Sequence, residues 1–308
     1  MRGQTYTARV ARVPVWEAEI VVDEALARRL VTQFPELVAE TLRPLGYGWD
    51  YTIWVVDERF AFRFPRREVV VAGTEREIAV LPKLAPLLPV AVPAPLCVGS
   101  PTDEYPWPFF GSRFLPGREL SDAALDGEHR LSVGLQLASF LRSLHAVELH
   151  EPLSLDVNGR ADMTRRVPLA RETLADLERH GVWRAPPAVR AILDEAEQLG
   201  PPELTAVVHG DLHFRQVLVE GELVTGVVDW VDVCRSDPAI DLSMLWSFLE
   251  PDQRGAFLDD YGEVSDDQLL RARVLAFSLC GIVAAQAHHE RLAAIEREAL
   301  AGLNRAAR

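Results

Sequence analysis

The chain has 308 residues, of which 48% are hydrophobic and 25% are charged, and its formal net charge is −14. A nucleic-acid-binding protein normally carries a basic face that neutralises phosphates, so this charge disfavours that class and is compatible with a cationic ligand. The three cysteines match neither a metal-ligand spacing nor a disulfide pattern, which indicates a reducing compartment.

The first part of the chain predicts a helix followed by short strands. Residues 23–37 have apolar side chains at helical spacing, with Asp23 as a candidate N-cap. Segments rich in β-branched and aromatic residues then predict an antiparallel meander, at residues 41–45, 51–56 and 60–64. A helix is expected over residues 67–88, although Pro82 and Pro86 leave its end open. Two further apolar stretches follow, at residues 94–98 and 107–115.

The rest of the chain is mainly helical in its pattern. Pro116-Gly117 is a turn signal that closes the β-rich part. Helices are expected at residues 130–147, 164–180, 188–199, 240–248 and 266–307. Between residues 207 and 229, two short apolar strands flank a polar cluster. This order predicts an α+β fold, with a β-rich amino-terminal lobe (residues 1–115, preceded by a helical extension) and a mostly helical carboxyl-terminal lobe (residues 116–308).

The last predicted helix contains the longest apolar run of the chain, residues 274–287. This run is shorter than the roughly 20 residues that span a bilayer, so we expect a buried helix there. The chain is therefore predicted to be cytoplasmic, with no membrane partner and no nucleic-acid partner.

The polar cluster contains the residues best suited to catalysis. It reads His209-Gly210-Asp211-Leu212-His213 and continues to Gln216, and Asp229 ends a further apolar strand 13 residues later. Phosphoryl transfer needs one carboxylate that accepts a hydroxyl proton, and a second carboxylate and an amide that hold Mg²⁺ against phosphate oxygens. Either aspartate alone could cap a turn or end a strand, but the two at this spacing favour a kinase.

The motif His209–His213, together with Val227-Val228-Asp229-Trp230, resembles the catalytic and metal-binding loops of the aminoglycoside phosphotransferase family. That family has a two-lobed, protein-kinase-like fold and includes macrolide kinases and choline-kinase-like relatives. The segment Asp237–Leu242 resembles the structural segment that follows these loops in the family. The resemblance covers roughly residues 40–290 and implies Asp211 as the catalytic base, with Asp229 and Gln216 as metal ligands. It also implies ATP or GTP as phosphate donor, Mg²⁺, and a small-molecule hydroxyl as acceptor.

The resemblance extends to the nucleotide-binding residues. Arg63 stands in the strand that normally places a lysine on the phosphates, and Glu77 would be the helix carboxylate that pairs with it, with Glu75 as a competitor. Gly46 and Gly48 form a candidate phosphate loop, although two glycines in a hairpin also make an ordinary turn. The connector whose backbone would receive the adenine is formed by Arg113, Phe114 and Leu115.

Two positions depart from the common pattern of the family. Gln216 stands where asparagine is usual, which keeps the amide but moves it one methylene further out, and macrolide kinases also depart from asparagine there. Arg63 replaces lysine, and its fork binds phosphate with a different geometry. A catalytically weak nucleotide-binding homologue therefore stays an alternative to an active enzyme.

The acceptor is the least determined part of the prediction. Acidic residues of the helical lobe, including Asp232 and Glu250, could attract and orient an aminoglycoside, which would make the protein an antibiotic-resistance enzyme. Trp230 could line the acceptor pocket or fill the core. A macrolide, a sugar or an amino alcohol is the alternative acceptor, and we expect a monomer or a homodimer. His145 is expected to be a packed or capping histidine rather than a catalytic one.

Overall fold

The computed structural model describes residues 17–47, 50–149, 153–156 and 158–308. These residues form two compact units. The first unit contains the described residues up to Glu75 together with Leu96–Ser112, and the second contains Arg76–Pro95 together with Arg113–Arg308. This division assigns residues 76–95 to the second unit, and the boundary expected between residues 115 and 116 stays a prediction.

The first unit is built on a five-stranded sheet with the strand order β1-β2-β3-β5-β4. Its strands are β1 (Leu42–Tyr47), β2 (Tyr51–Val56), β3 (Phe60–Pro65), β4 (Pro95–Gly99) and β5 (Phe109–Arg113). Strands β1 to β3 pair antiparallel, which confirms the predicted meander. Aromatic side chains fill the core of this unit, and the rings of Phe64 and Phe109 stack at 4.9 Å.

The first helix, α1 (Glu24–Val31), packs its apolar face onto this core. The carboxylate of Asp23 accepts a hydrogen bond from the backbone N–H of Leu26 at 2.8 Å, so the predicted N-cap is confirmed. The helix ends six residues earlier than predicted. Pro35 disfavours a helical conformation at Phe34, and the preceding turn is non-helical as well.

Helix α2 (Glu68–Leu84) contributes residues to both units, because the boundary between them falls after Glu75. Pro82 lies in its last turn, and residues 85–87 continue as a single 3₁₀ turn. A proline removes one backbone donor and clashes with the preceding turn, which explains why the helix ends before the predicted residue 88.

The second unit is mostly helical and contains two small sheets. Its strands are β6 (Arg118–Glu119), β7 (Ala206–Val208), β8 (Val217–Glu220), β9 (Leu223–Val227) and β10 (Cys234–Ser236). Its helices are α3 (Leu120–Ala123), α4 (Gly127–His145), α5 (Met163–Arg179), α6 (Pro187–Ala196), α7 (Ala239–Phe248), α8 (Arg254–Tyr261), α9 (Asp266–Glu290) and α10 (Ala293–Ala306). One sheet has the order β6-β8-β9, and the other pairs β7 with β10. The two strands that flank the polar cluster, β7 and β8, therefore belong to different sheets.

The carboxyl-terminal helix predicted over residues 266–307 is in fact two helices. The chain turns at Arg291, whose φ of +60° is left-handed, and α10 then packs back against α9. The prediction of one helix was wrong because the turn contains neither glycine nor proline, so the sequence carries no turn signal there.

Among the described residues, α9 alone is long and apolar enough to cross a membrane by length and composition. More than half of its apolar window is buried inside the protein, where it packs against α5, α7 and α10. This is the position of a core helix, as the sequence predicted for residues 274–287.

Candidate active site

The polar cluster forms a loop, residues 209–216, between β7 and β8. Gly210 has a φ of +92°, a conformation that L side chains rarely adopt. A Cβ at this position would lie 2.4 Å from the carbonyl oxygen of Asp232, which is far inside contact distance. Gly210 is therefore required both by the backbone conformation and by the close approach of the 229–233 segment.

The start of the loop is fixed by Asp241, a completely buried residue in the first turn of α7. Its Oδ2 accepts a hydrogen bond from the backbone N–H of His209 at 2.7 Å, and its Oδ1 accepts one from Gly210 at 3.1 Å. Nε2 of His145 lies 3.1 Å from the same Oδ2, and the Nδ1 of that ring lies 2.7 Å from the hydroxyl of Tyr261. Burial alone would raise the pKa of Asp241, but the hydrogen bonds from His145 and the His209 amide lower it overall.

The two histidines on either side of Asp211 are buried and uncharged at neutral pH. Nδ1 of His209 accepts from the backbone N–H of Asp211 at 3.4 Å, so its Nε2–H donates to the carbonyl of Val228 at 3.0 Å. Burial lowers the pKa of His209. Burial, with repulsion from the charge of Arg215, lowers the pKa of His213 to about 3. These rings orient the loop and carry no charge.

Asp211 differs from its neighbours in its access to solvent. Its side chain is 34% exposed, whereas the side chain of His213 is 10% exposed. Its Oδ2 lies 4.0 Å from Nε2 of His213, which is longer than a hydrogen bond. An accessible carboxylate on a rigidly anchored loop can accept a proton from a bound hydroxyl.

Gln216 and Asp229 lie at the same end of the β8–β9 hairpin. Val217 pairs with Val227, and the backbone N–H of Val228 donates to the carbonyl of Gln216 at 2.9 Å. The side chain of Gln216 is buried, and its Oε1 has no hydrogen-bond partner within the described part of the chain. Asp229 has a φ of +70°, a strained value of the kind that concentrates at functional sites. An unpartnered amide oxygen and a carboxylate are donors that Mg²⁺ prefers, so these two residues fit the metal that the resemblance implies.

The second half of α2 holds the segment that follows Asp229. Oε1 of Glu77, which is completely buried, accepts a hydrogen bond from the backbone N–H of Trp230 at 3.1 Å. The guanidinium of Arg76 donates to the carbonyl of Val231 at 2.9 Å. Adjacent residues of one helix thus hold two peptide groups of the 229–233 segment, one on each side of the Trp230–Val231 peptide.

The sequence profile of the phosphotransferase enzyme family matches residues 41–275, a range that includes every residue of the site described so far. The chain belongs to this family. It is a small-molecule kinase, a phosphotransferase with an alcohol group as acceptor, as the sequence predicted. No curated protein sequence matches the chain significantly.

The fold of this phosphotransferase is similar to those of solved aminoglycoside and macrolide phosphotransferases. The GDP and kanamycin complex of APH(2")-IIia is 22% identical, with a TM-score of 0.66 over 92% of this chain and 98% of that chain. Macrolide 2'-phosphotransferase MphH from Brachybacterium faecium is also 22% identical, with a TM-score of 0.58 over 92% and 98%. ADP-bound aminoglycoside phosphotransferase APH(2'')-Ib is 16% identical, with a TM-score of 0.56 over 92% and 99%. The predicted kinase-like fold is confirmed.

The nucleotide-side candidates of the phosphotransferase lie in both compact units. Arg63 is buried on β3, with its guanidinium 5.5 Å from the ring centroid of Tyr51. Of the two helix carboxylates, Glu75 is exposed and Glu77 is buried, so burial favours Glu77. Gly46 lies in β1 next to a register shift, whereas Gly48 lies outside the described residues. The pairing of Arg63 with Glu77 stays a prediction.

The connector residues follow the sheet of the first unit. Arg113 is the last residue of β5, and Phe114 and Leu115 are half-buried after it. The hydroxyl of Thr225 donates to the carbonyl of Pro116 at 2.6 Å, which fixes the predicted turn against β9. Adenine binding by this connector stays a prediction.

The three acceptor-side candidates, Trp230, Asp232 and Glu250, differ in their burial and in their partners. Trp230 is completely buried against Phe140 and His209, so its side chain fills the core rather than lining a pocket. Oδ2 of Asp232 lies 2.8 Å from Nη2 of Arg160, and Oε2 of Glu250 lies 2.7 Å from Nη2 of Arg308. Both acids are therefore already paired with arginines.

Two features of the site were not predicted as functional. Asp241 was expected only as part of a structural segment, and His145 as a packed residue. Asp241 in fact accepts hydrogen bonds from the loop amides, and His145 contacts the same carboxylate. Arg160, which pairs with Asp232, lies in a region with no motif, and no sequence signal would have singled it out.

Proposed function

We propose that this phosphotransferase transfers the γ-phosphoryl group of ATP or GTP to a hydroxyl of a small molecule, with Asp211 as the base. The observation that carries this proposal is the accessible carboxylate of Asp211 on a loop whose backbone amides bind the buried Asp241. Such a loop positions its carboxylate without reorganisation during the reaction.

The acceptor, the nucleotide and Asp211 together account for every bond and proton in the proposed transfer. The acceptor oxygen forms a new bond to the γ-phosphorus, and the bond from that phosphorus to the bridging oxygen of the nucleotide breaks. The hydroxyl proton passes to the carboxylate of Asp211, and the nucleoside diphosphate leaves. The neutral rings of His209 and His213 keep the loop in place without competing for this proton.

Asp229 and Gln216 are the residues that would hold Mg²⁺. The metal, when bound, neutralises charge on the phosphate oxygens. Glu77 and Arg76 contribute by fixing the peptide groups that follow Asp229, so that its carboxylate keeps a defined direction. Arg63 is proposed as the cation that binds the nucleotide phosphates. The GDP and ADP in two of the similar structures support a purine nucleotide as donor.

The first acceptors to test are aminoglycosides. The kanamycin in one similar structure and the net charge of −14 support this class, which would make the protein an antibiotic-resistance enzyme. A macrolide is the second candidate, because a macrolide phosphotransferase has the same 22% sequence identity to this chain and Gln216 departs from the common asparagine. Sugars and amino alcohols complete the panel. Because the donor is a nucleotide, we propose that the enzyme acts in the cytoplasm. Sedimentation analysis would test the expectation that it is a monomer or a homodimer.

The test is a coupled assay of ADP or GDP release with Mg²⁺ against this panel. We expect acceptor-dependent release with one of the classes, and at least a hundredfold lower kcat for Asp211→Asn. Nucleotide binding by the variant, measured by titration calorimetry, is expected to stay close to that of the wild type. Nucleotide binding without transfer to any acceptor would favour the catalytically weak homologue. Unchanged turnover of Asp211→Asn would refute the proposed mechanism.

A further inference from the structure

The segment before α5 lies directly beside the loop that carries Asp211. Leu155 forms a parallel bridge with Arg235 of β10, and the backbone N–H of Arg235 donates to the carbonyl of Ser154 at 2.8 Å. Strand β10 pairs in turn with β7, which leads into the 209–216 loop. The segment is thus an extension of the small sheet that positions the catalytic base.

Two arginines project from this region. Nη2 of Arg160 lies 2.8 Å from Oδ2 of Asp232, whose carbonyl oxygen lies against Gly210, next to the base. Nε of Arg166, in the first turns of α5, donates to the carbonyl of Arg160 at 3.1 Å. Burial opposes the charge of Arg160, but Asp232, Asp211 and Asp156 raise its pKa overall.

The charge of Arg166, in contrast, has no ion-pair partner among the described residues. Its one hydrogen bond there uses Nε, so both terminal nitrogens of the fork are left for a ligand. The residue is half-buried, and burial together with Arg160 lowers its pKa, while Asp156 and Asp211 act in the opposite direction. The guanidinium is partly desolvated and its terminal N–H groups form no hydrogen bond with the described residues, so an anionic oxygen group of a ligand would satisfy them.

The charges around Arg166 are of both signs, since Asp156 and Asp211 act on it together with Arg160. Asp232 is matched by Arg160, Asp156 is used in binding loop amides including that of Asn158, and Arg166 is left over. We propose that Arg166 is a specificity-determining residue that binds an anionic oxygen group of the acceptor, a carboxylate or a phosphate ester, while the acceptor hydroxyl is presented to Asp211. This proposal rests on the proposed phosphotransfer and adds hydroxylated acids to the acceptor classes to be tested.

The direct test compares two probes that differ in one carboxylate, D-glucose and D-glucuronate. Binding of each is measured by titration calorimetry to the full chain saturated with ADP and Mg²⁺, so that the donor phosphate site is already filled. We expect glucuronate to bind at least about tenfold more tightly than glucose, as one charge-assisted bidentate contact provides. Arg166→Gln is expected to bring this ratio close to one. Arg166→Lys, which keeps the charge, should retain part of the preference for glucuronate.

Arg165 provides the matched control. It is the neighbouring residue, it is exposed, and its guanidinium reaches only the carbonyl of Asn158 at 3.4 Å. Arg165→Gln should keep the glucuronate preference. Asp232→Asn removes the carboxylate that pairs with Arg160. The guanidinium of Arg160 then adds positive charge beside Arg166, so this variant should bind glucuronate more tightly than the wild type.

Two results would overturn the proposal. One is equal binding of glucose and glucuronate by the wild type, and the other is a preference that survives in Arg166→Gln. Absence of nucleotide-dependent transfer to any acceptor would instead refute the proposed function, so the two failures are distinguishable.

Discussion

The backbone N–H of His209 donates a 2.7 Å hydrogen bond to the buried carboxylate of Asp241, 32 residues further along the chain. This bond, with the one from Gly210, joins the loop that carries the proposed base, Asp211, to the core helix α7. The position of the base is thus set by the helical core, and the loop cannot shift without breaking a buried charged contact.

Asp241→Asn is expected to lower the unfolding free energy by about 3 kcal/mol and to reduce kcat. The amide can turn its oxygen toward one loop N–H, but its NH₂ group then faces another donor in a buried site. Urea unfolding followed by circular dichroism measures the stability. Asp259→Asn, at an exposed acid of α8, is the control and should change it by less than about 0.5 kcal/mol. Equal unfolding midpoints for Asp241→Asn and the wild type would contradict the anchoring role.

Gln216→Leu is expected to stabilise the metal-free protein but to weaken its Mg²⁺-dependent binding of nucleotide. Removing a buried acceptor without a partner should raise the unfolding free energy of the metal-free protein by about 1 kcal/mol. Loss of a metal ligand should weaken Mg²⁺-dependent nucleotide binding about tenfold. Thermal unfolding without metal and nucleotide titration at several Mg²⁺ concentrations measure the two effects. A stabilised variant with unaltered Mg²⁺ dependence would show that Gln216 is not a ligand.

Gly210→Ala should be far more damaging than Gly221→Ala, although both glycines have a positive φ. A Cβ at Gly221 meets no atom within 4 Å, so that variant bears only the conformational strain of about 1 kcal/mol. A Cβ at Gly210 also meets the carbonyl of Asp232, which should cost about 2 kcal/mol more. Denaturant unfolding of both variants gives the difference, and similar losses would mean that the 229–233 segment moves away at little cost.

His213 makes the stability of the protein depend on pH. Its pKa is about 3 in the folded protein and about 6.5 when unfolded, so the unfolded chain binds the extra proton as the pH falls below 6.5. Stability is therefore lost on acidification, by about 2 kcal/mol between pH 7 and pH 5 from this residue. His213→Asn keeps an acceptor for the Arg215 amide and should remove this part of the pH dependence. Parallel stability profiles for the variant and the wild type would be inconsistent with a neutral buried ring.

The sequence predicted best those parts of the fold that depend on local pattern. The strand over residues 51–56 and the Asp23 cap are present as predicted, because alternation and capping chemistry act over a few residues. The break at Arg291 was missed, since tertiary packing of α10 against α9 imposes it without a turn residue.

The candidate site likewise contains residues that the sequence predicted and contacts that it did not. Asp211, Gln216 and Asp229 stand in a compact motif, and the hairpin brings the latter two to one end. The contact of His145 with Asp241 and that of Arg160 with Asp232 join residues far apart in the chain. No periodicity or short motif encodes such pairs, so only the three-dimensional structure shows them.

The assignment of residues 76–95 to the second unit affects how this enzyme could be divided or recombined. Leu81, Leu84 and Val92 belong to the large core of that unit, and the carbonyl of Ala91 accepts a hydrogen bond from the Val227 amide at 3.0 Å. A polypeptide that started at Pro116 would lack these groups and would leave apolar surface uncovered. Exchange of the catalytic half between relatives would therefore need two separate stretches of the gene to be inherited together.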